Sequence, residues 1–130
     1  MQVRSTNKAK RDKSSILADT KNLLGVLLPA IQRMPKIDRI EGAPVEMKRA
    51  AFDVIRHLSI ALTCQEVREE NIRLMIGDCG VMFATFEILI HQGLLTSSTQ
   101  LEIARHLEKI DEGISKWRSS MRKTDSASGA

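Results

Sequence analysis

Apolar positions recur at spacings of three and four along most of this chain and do not alternate with polar ones for long, which is a helical pattern. Ile16, Thr20, Leu23, Leu24, Leu27, Leu28, Ile31 and Met34 form the first such stripe. It predicts a helix of about 20 residues, about 30 Å long, beginning near Ser14 or Ser15, either of which can cap exposed amide groups. Pro29 removes an amide donor within it and should kink it; Pro35 should stop it. A loop from Pro35 to Ala43, containing Gly42, comes next. Pro44 suits the first turn of a helix and Glu46 suits its positive end, so a second helix should run to about Thr63. Met47, Ala51, Val54, Leu58 and Ala61 would form its inner face. A polar link around Gln65 leads into a third helix from about Glu66 to Gln92, closed by Gly93. Ser97 and Gln100 have capping-box spacing. Beyond them Leu101, Ala104, Leu107, Ile110, Ile114 and Trp117 trace the narrow stripe of a fourth helix.

Four helices with short connections predict an all-α chain, an antiparallel up-down-up-down four-helix bundle with disordered basic termini. The division expected is a basic arm over residues 1–13, the bundle over 14–118 and a tail over 119–130. A helical hairpin that completes its bundle with a second chain is the competing architecture.

The third helix departs from the one-striped pattern. From Cys79 to Ile90 the chain reads CGVMFATFEILI, and its apolar side chains point in almost every direction at 100° per residue. A helix that is apolar all round is covered on more than one side. Full burial of a Phe or Leu is worth about 1.5–3 kcal/mol, so covering two or three of them would favour association. A homo-oligomer is therefore expected, with Val81, Phe83, Phe86, Ile88 and Ile90 at the interface. The competing reading is a deeper core than a simple bundle needs. Gly77 and Gly80 each weaken this helix by about 1 kcal/mol against alanine. They permit close helix approach or mark an irregularity. Asp78 between them is either a hydrogen bonder at an interface or a solvated residue.

Composition agrees with helices and adds little else. The 130 residues include three Phe, one Trp and no Tyr, with apolar content mostly Leu, Ile, Ala, Val and Met. Cys64 and Cys79 are too far apart for a CxxC site and too few for a disulfide framework, so both read as buried thiols of a reduced cytoplasm. No opening apolar run resembles a signal peptide, and no stretch reaches about 18 charge-free apolar residues. A soluble cytoplasmic protein with no membrane partner is expected.

Charge changes the picture once it is partitioned. The net +4 comprises +4 over residues 1–13 (Arg4, Lys8, Lys10, Arg11 and Lys13 against Asp12), +2 over 118–130 (Arg118, Arg122 and Lys123 against Asp125) and −2 over the body. A flexible basic arm engages phosphates, and several arms on one oligomer would act together. Within the body, Lys48, Arg49, Arg56, Arg68 and Arg73 extend the candidate nucleic-acid surface, although Asp38, Glu41, Glu46 and Asp53 dilute it towards a merely solvated face. Aromatic side chains to stack on bases are scarce, so contact with RNA, or with DNA, should be electrostatic and weakly sequence-selective.

Candidate catalytic chemistry is thin. Di-metal helical bundles use Glu-x-x-His pairs, whereas Asp53/His57, Glu87/His91 and Glu102/His106 are spaced i, i+4. These read as surface acid–imidazole pairs, each worth a few tenths of a kcal/mol. There is no HExxH, Walker loop or GxGxxG. No enzyme activity, metal or cofactor is expected.

Two segments carry a resemblance. MPKIDRIEGAPVEMK, from Met34, resembles the first inter-helix loop of small bacterial four-helix-bundle proteins, and LEKIDEGISKWRSS, from Leu107, resembles their closing helix. That group includes the accessory variability determinant of diversity-generating retroelements and the four-helix proteins encoded in intervening sequences of ribosomal RNA genes. The resemblance spans about residues 16–120. It implies a homopentameric barrel of four-helix subunits, noncatalytic, that binds reverse transcriptase and template RNA to support mutagenic reverse transcription. The intervening-sequence branch implies instead a structural homo-oligomeric bundle without nucleic-acid binding. Where the first branch carries arginines on the third helix this chain has Phe83, Ala84 and Glu87, which shifts the expected RNA contact to the tails and the Arg/Lys edges of the body.

Overall fold

The computed structural model describes the backbone of residues 2–129 and the side chains of residues 15–122. The chain is all-helical, with no strand among the described residues. Helix α1 spans Gln2–Gln32, α2 Lys36–Ile40, α3 Ala43–Thr63, α4 Arg68–His91 and α5 Ser97–Gly129, and a 3-10 turn, Gln65–Val67, precedes α4. The basic arm expected over residues 1–13 and the tail from Lys123 onward have side chains outside the described residues.

Local chemistry explains the boundaries. α1 continues one turn past Pro29, then tightens as the Arg33 and Met34 amides donate to the Ala30 and Ile31 carbonyls. The expected loop 35–43 contains α2, with Pro35 immediately before its first turn. Gly42 breaks the chain between α2 and α3 at φ 92°, a left-handed conformation that favours glycine. Its carbonyl then accepts the first bond of α3 from the Glu46 amide, with Pro44 in that first turn. Gly93 closes α4 as expected. At φ 68° it donates to Ile90, and Leu94 donates to Leu89, the paired bonds of a Schellman ending. α5 is capped one residue earlier than Ser97 suggested: the Thr96 hydroxyl accepts from the Thr99 amide at 3.3 Å, and Gln100 donates from Nε2 to the Leu95 carbonyl.

α3 packs along α4 and α1 along α5, and narrower contacts join α1 to α3 and α4 to α5. The four long helices thus contact one another in a closed cycle around one core. Ile16, Leu23, Leu27, Met47, Leu58, Met75, Met82, Leu89, Leu107 and Ile110 are fully buried in it. Two positions expected in the stripes lie outside. Leu28 is exposed on the flank of α1, and Leu101 is 64 % exposed. The true stripe of α5 is Ile103, Leu107, Ile110, Ile114 and Trp117. Leu101 is two residues from Ile103, about 200° away around the helix. The helix remains packed beyond the expected edge at 118, since Met121 rests against the core.

Candidate interaction surface

Two features of the described surface stand out: the outer side of α4, and the Arg118–Arg122 stretch of α5. On α4 the inward arc is Ile72, Met75, Cys79, Met82, Phe86 and Leu89. Leu74, Gly77, Val81, Ala84 and Ile88 are all exposed and fall within about 80° of one another on the outer side. Leu74, Val81 and Ile88 are each 45 % exposed. Of the five residues expected at an oligomer interface, Val81 and Ile88 lie on this stripe. Ile90 is exposed on the opposite flank, beside half-buried Phe83. Phe86 is turned into the chain's own core at 8 % exposure, because it follows Met82 by one turn on the inward arc. Leu74 escaped the sequence reading; its seven-residue spacing from Val81 and Ile88 was the available signal. The segment Gln65–His91 is long and apolar enough to cross a membrane, with a mean hydropathy of 1.5 in its most apolar window, of which only 28 % is buried.

Asp78 sits at the edge of this surface and is tied to α3. His57 Nδ1 and Asp78 Oδ2 are 2.6 Å apart, with the side chains 18 % and 15 % exposed. Burial pushes the Asp78 carboxyl above its ordinary range, against the opposing pull of the hydrogen bond from His57. This replaces the expected Asp53/His57 pair; Asp53 instead binds Arg56 at 3.1 Å. Nor does Glu102 partner the inner nitrogen of His106: Nδ1 is buried without a hydrogen-bond partner. Cys79 is buried as expected, and burial pushes its thiol up to about 12. Cys64 is exposed, contrary to expectation, because it falls at the end of α3 where the chain turns outward. No group of three or more His, Cys, Asp or Glu is arranged to hold a metal ion among the described residues.

The expected basic residues divide between structural work and the Arg118–Arg122 stretch. Arg68 Nε donates to the Ala61 carbonyl at 2.7 Å, satisfying the carboxyl end of α3. Arg49 pairs with Glu46 at 3.3 Å and Arg73 with Glu69 at 3.7 Å, both exposed. Lys48 is half-buried on α3. Arg118 and Arg122 share a small depression with Glu69, Ile72 and Met121. Ser15 and Asp19 of α1 share a wider one, about 300 Å³, with Lys109, Glu112, Gly113 and Lys116 of α5. Its charges are partly matched within it, Ser15 donating to Asp19 and Lys116 pairing with Glu112 at 2.8 Å. These depressions set the start of the described part of α1 beside the Lys109–Lys116 stretch of α5, and the start of α4 beside Arg118 and Arg122. Arg4, Lys8, Lys10, Arg11, Lys13 and Lys123 lie outside the described side chains.

The described surface thus offers an apolar strip on α4 that the chain itself does not cover, and Arg118 and Arg122 beside the start of α4. Comparison with protein-family models, with curated proteins and with solved structures finds no match.

Proposed function

We propose that this chain is a noncatalytic, self-associating accessory protein, an antiparallel up-down-up-down four-helix bundle that acts in the cytoplasm by holding other macromolecules. The observation that carries the reading is the uncovered apolar strip of α4. Covering its three large side chains in an assembly would remove from water surface worth about 25 cal/mol per Å². The closed cycle of contacts among α1, α3, α4 and α5 supports the bundle topology. Self-association brings several copies of the basic terminal segments into one assembly, which favours binding to a polyanion through many weak contacts.

The resemblance described above supplies the nature of the partners: reverse transcriptase and template RNA of a diversity-generating retroelement, with a pentamer as the assembly of that family. The charge partition supports the RNA half of this reading, because the basic charge of residues 1–13 is almost undiluted. Purified protein should bind RNA with a steep salt dependence, and deleting residues 1–13 should weaken binding and flatten the salt slope. Salt-insensitive binding, or none, would leave the intervening-sequence type of protein, a structural oligomer without nucleic acid, as the better account.

A further inference from the structure

The exposed stripe of α4 alternates in size as well as lying on one side. Leu74, Val81 and Ile88 are large; Gly77 and Ala84 between them are small. The steps of three and four are the heptad spacing by which one helix packs along another. Gly77 and Gly80 have no explanation within the chain itself. Neither has a positive φ. Beyond the adjoining residues and the backbone of α4 itself, no atom lies within 4 Å of where a Cβ would stand at either position. The fold therefore tolerates two helix-weakening residues without using the space that they open. A backbone approaching from outside would use it.

The geometry points to a second copy of this chain as the occupant, its α4 running antiparallel to the first across a twofold axis; this inference rests on the self-association proposed above and puts a twofold assembly in place of the pentamer that the resemblance implies. In an antiparallel heptad pairing Leu74 and Val81 face small positions of the stripe, and Ile88 falls opposite Glu70 at the end of the contact. Leu74 meets Ala84 of the second copy, and Val81 meets Gly77. A parallel pairing would set large against large and leave glycine facing glycine. The same antiparallel register brings Arg73 beside Glu87 of the second copy, twice by symmetry, so the rim is complementary in charge as the centre is in shape. Arg73 can make this exchange readily, since its pair with Glu69 is long at 3.7 Å and exposed. A patch that complements itself closes on a twofold axis and leaves no growing end.

Sedimentation equilibrium of the full chain over a concentration series tests the pairing. Wild type should form an assembly of even number. Gly77→Leu and Val81→Glu should each weaken association by at least about tenfold, filling a hole or burying a charge, with helix content retained. Gly25→Leu, at an equally open helical glycine on α1, should leave it unchanged. Arg73→Glu and Glu87→Arg should each weaken it by about two- to fivefold, and the double variant should recover. In a Cys64→Ser background, Leu74→Cys and Ala84→Cys proteins should cross-link when mixed far faster than either alone. A monomer at every concentration would overturn both this pairing and self-association. An odd-numbered ring, association indifferent to Gly77→Leu and Val81→Glu, or Leu74→Cys cross-linking to itself would overturn the pairing and leave self-association standing. A monomer that floats with phosphatidylcholine vesicles would overturn both in favour of a lipid surface.

Discussion

Asp78 shows how one side chain acquires its character from a neighbour 21 positions away. Its carboxyl is held at 2.6 Å from His57, yet burial outweighs that bond and leaves it harder to ionise than the ordinary 3.8. The folded state consequently binds a proton more tightly there than the unfolded chain does. Stability from this group must rise as pH falls from neutrality through the raised value, and level off below about 3.8. The direction is opposite to that of a carboxylate stabilised in its charged form. Denaturant midpoints measured against pH should show wild type gaining on Asp78→Asn as the solution is acidified through that window; a gain on raising the pH instead would refute the assignment. The thiols make a second contrast. Cys64 is exposed, while Cys79 is buried with its thiol pushed up to about 12. A maleimide reagent should therefore modify Cys64 quickly in native protein and Cys79 only on unfolding. Equal rates would contradict the packing of α4. Neither contrast was legible in the sequence: the Asp53/His57 spacing offered a nearer pair, and a residue's exposure at a helix end depends on where the next helix starts.

The long helices were largely legible, since Pro35, Gly42 and Gly93 mark boundaries locally. Gly93 is the clearest: its φ of 68° lets Leu94 and itself return two amides to the end of α4. Gly93→Ala should destabilise the fold by about 1–2 kcal/mol, the cost of left-handed backbone for a residue with a Cβ, read as a lowered denaturant midpoint without loss of helix content at zero denaturant. An unchanged midpoint would mean that the ending is not held by this turn. The rotation of each helix was harder to read than its extent. Leu101, Ala104 and Leu107 follow one another by threes, a spacing that drifts about 60° per step, whereas Ile103, Leu107, Ile110, Ile114 and Trp117 alternate four and three and stay in line. The second series is the buried one. On α4 the same ambiguity was sharper, because apolar residues occupy the whole circumference and no polar face marks the outside.

At the scale of the molecule, the four long helices share one core, and Trp117, the single tryptophan, lies inside it at 5 % exposure. Ile110→Ala should cost about 2–5 kcal/mol through the lost contacts and the cavity left behind. Trp117 fluorescence and far-ultraviolet circular dichroism should still report one common midpoint, as for a single cooperative domain; separated midpoints would show that α1 with α5 and α3 with α4 unfold independently. What the sequence determined by itself is the helical class, the turns at Gly42 and Gly93, and most of the inward residues. These follow from spacing, from proline and from glycine, which act within a few neighbours along the chain. Only the tertiary structure decided which side of α4 faces outward, that Phe86 belongs to the core while Leu74, Val81 and Ile88 do not, and that Arg68 caps α3. It also decided that His57 binds Asp78. Each of these depends on how two helices are turned against each other, and that rotation is set by the packing of all four at once.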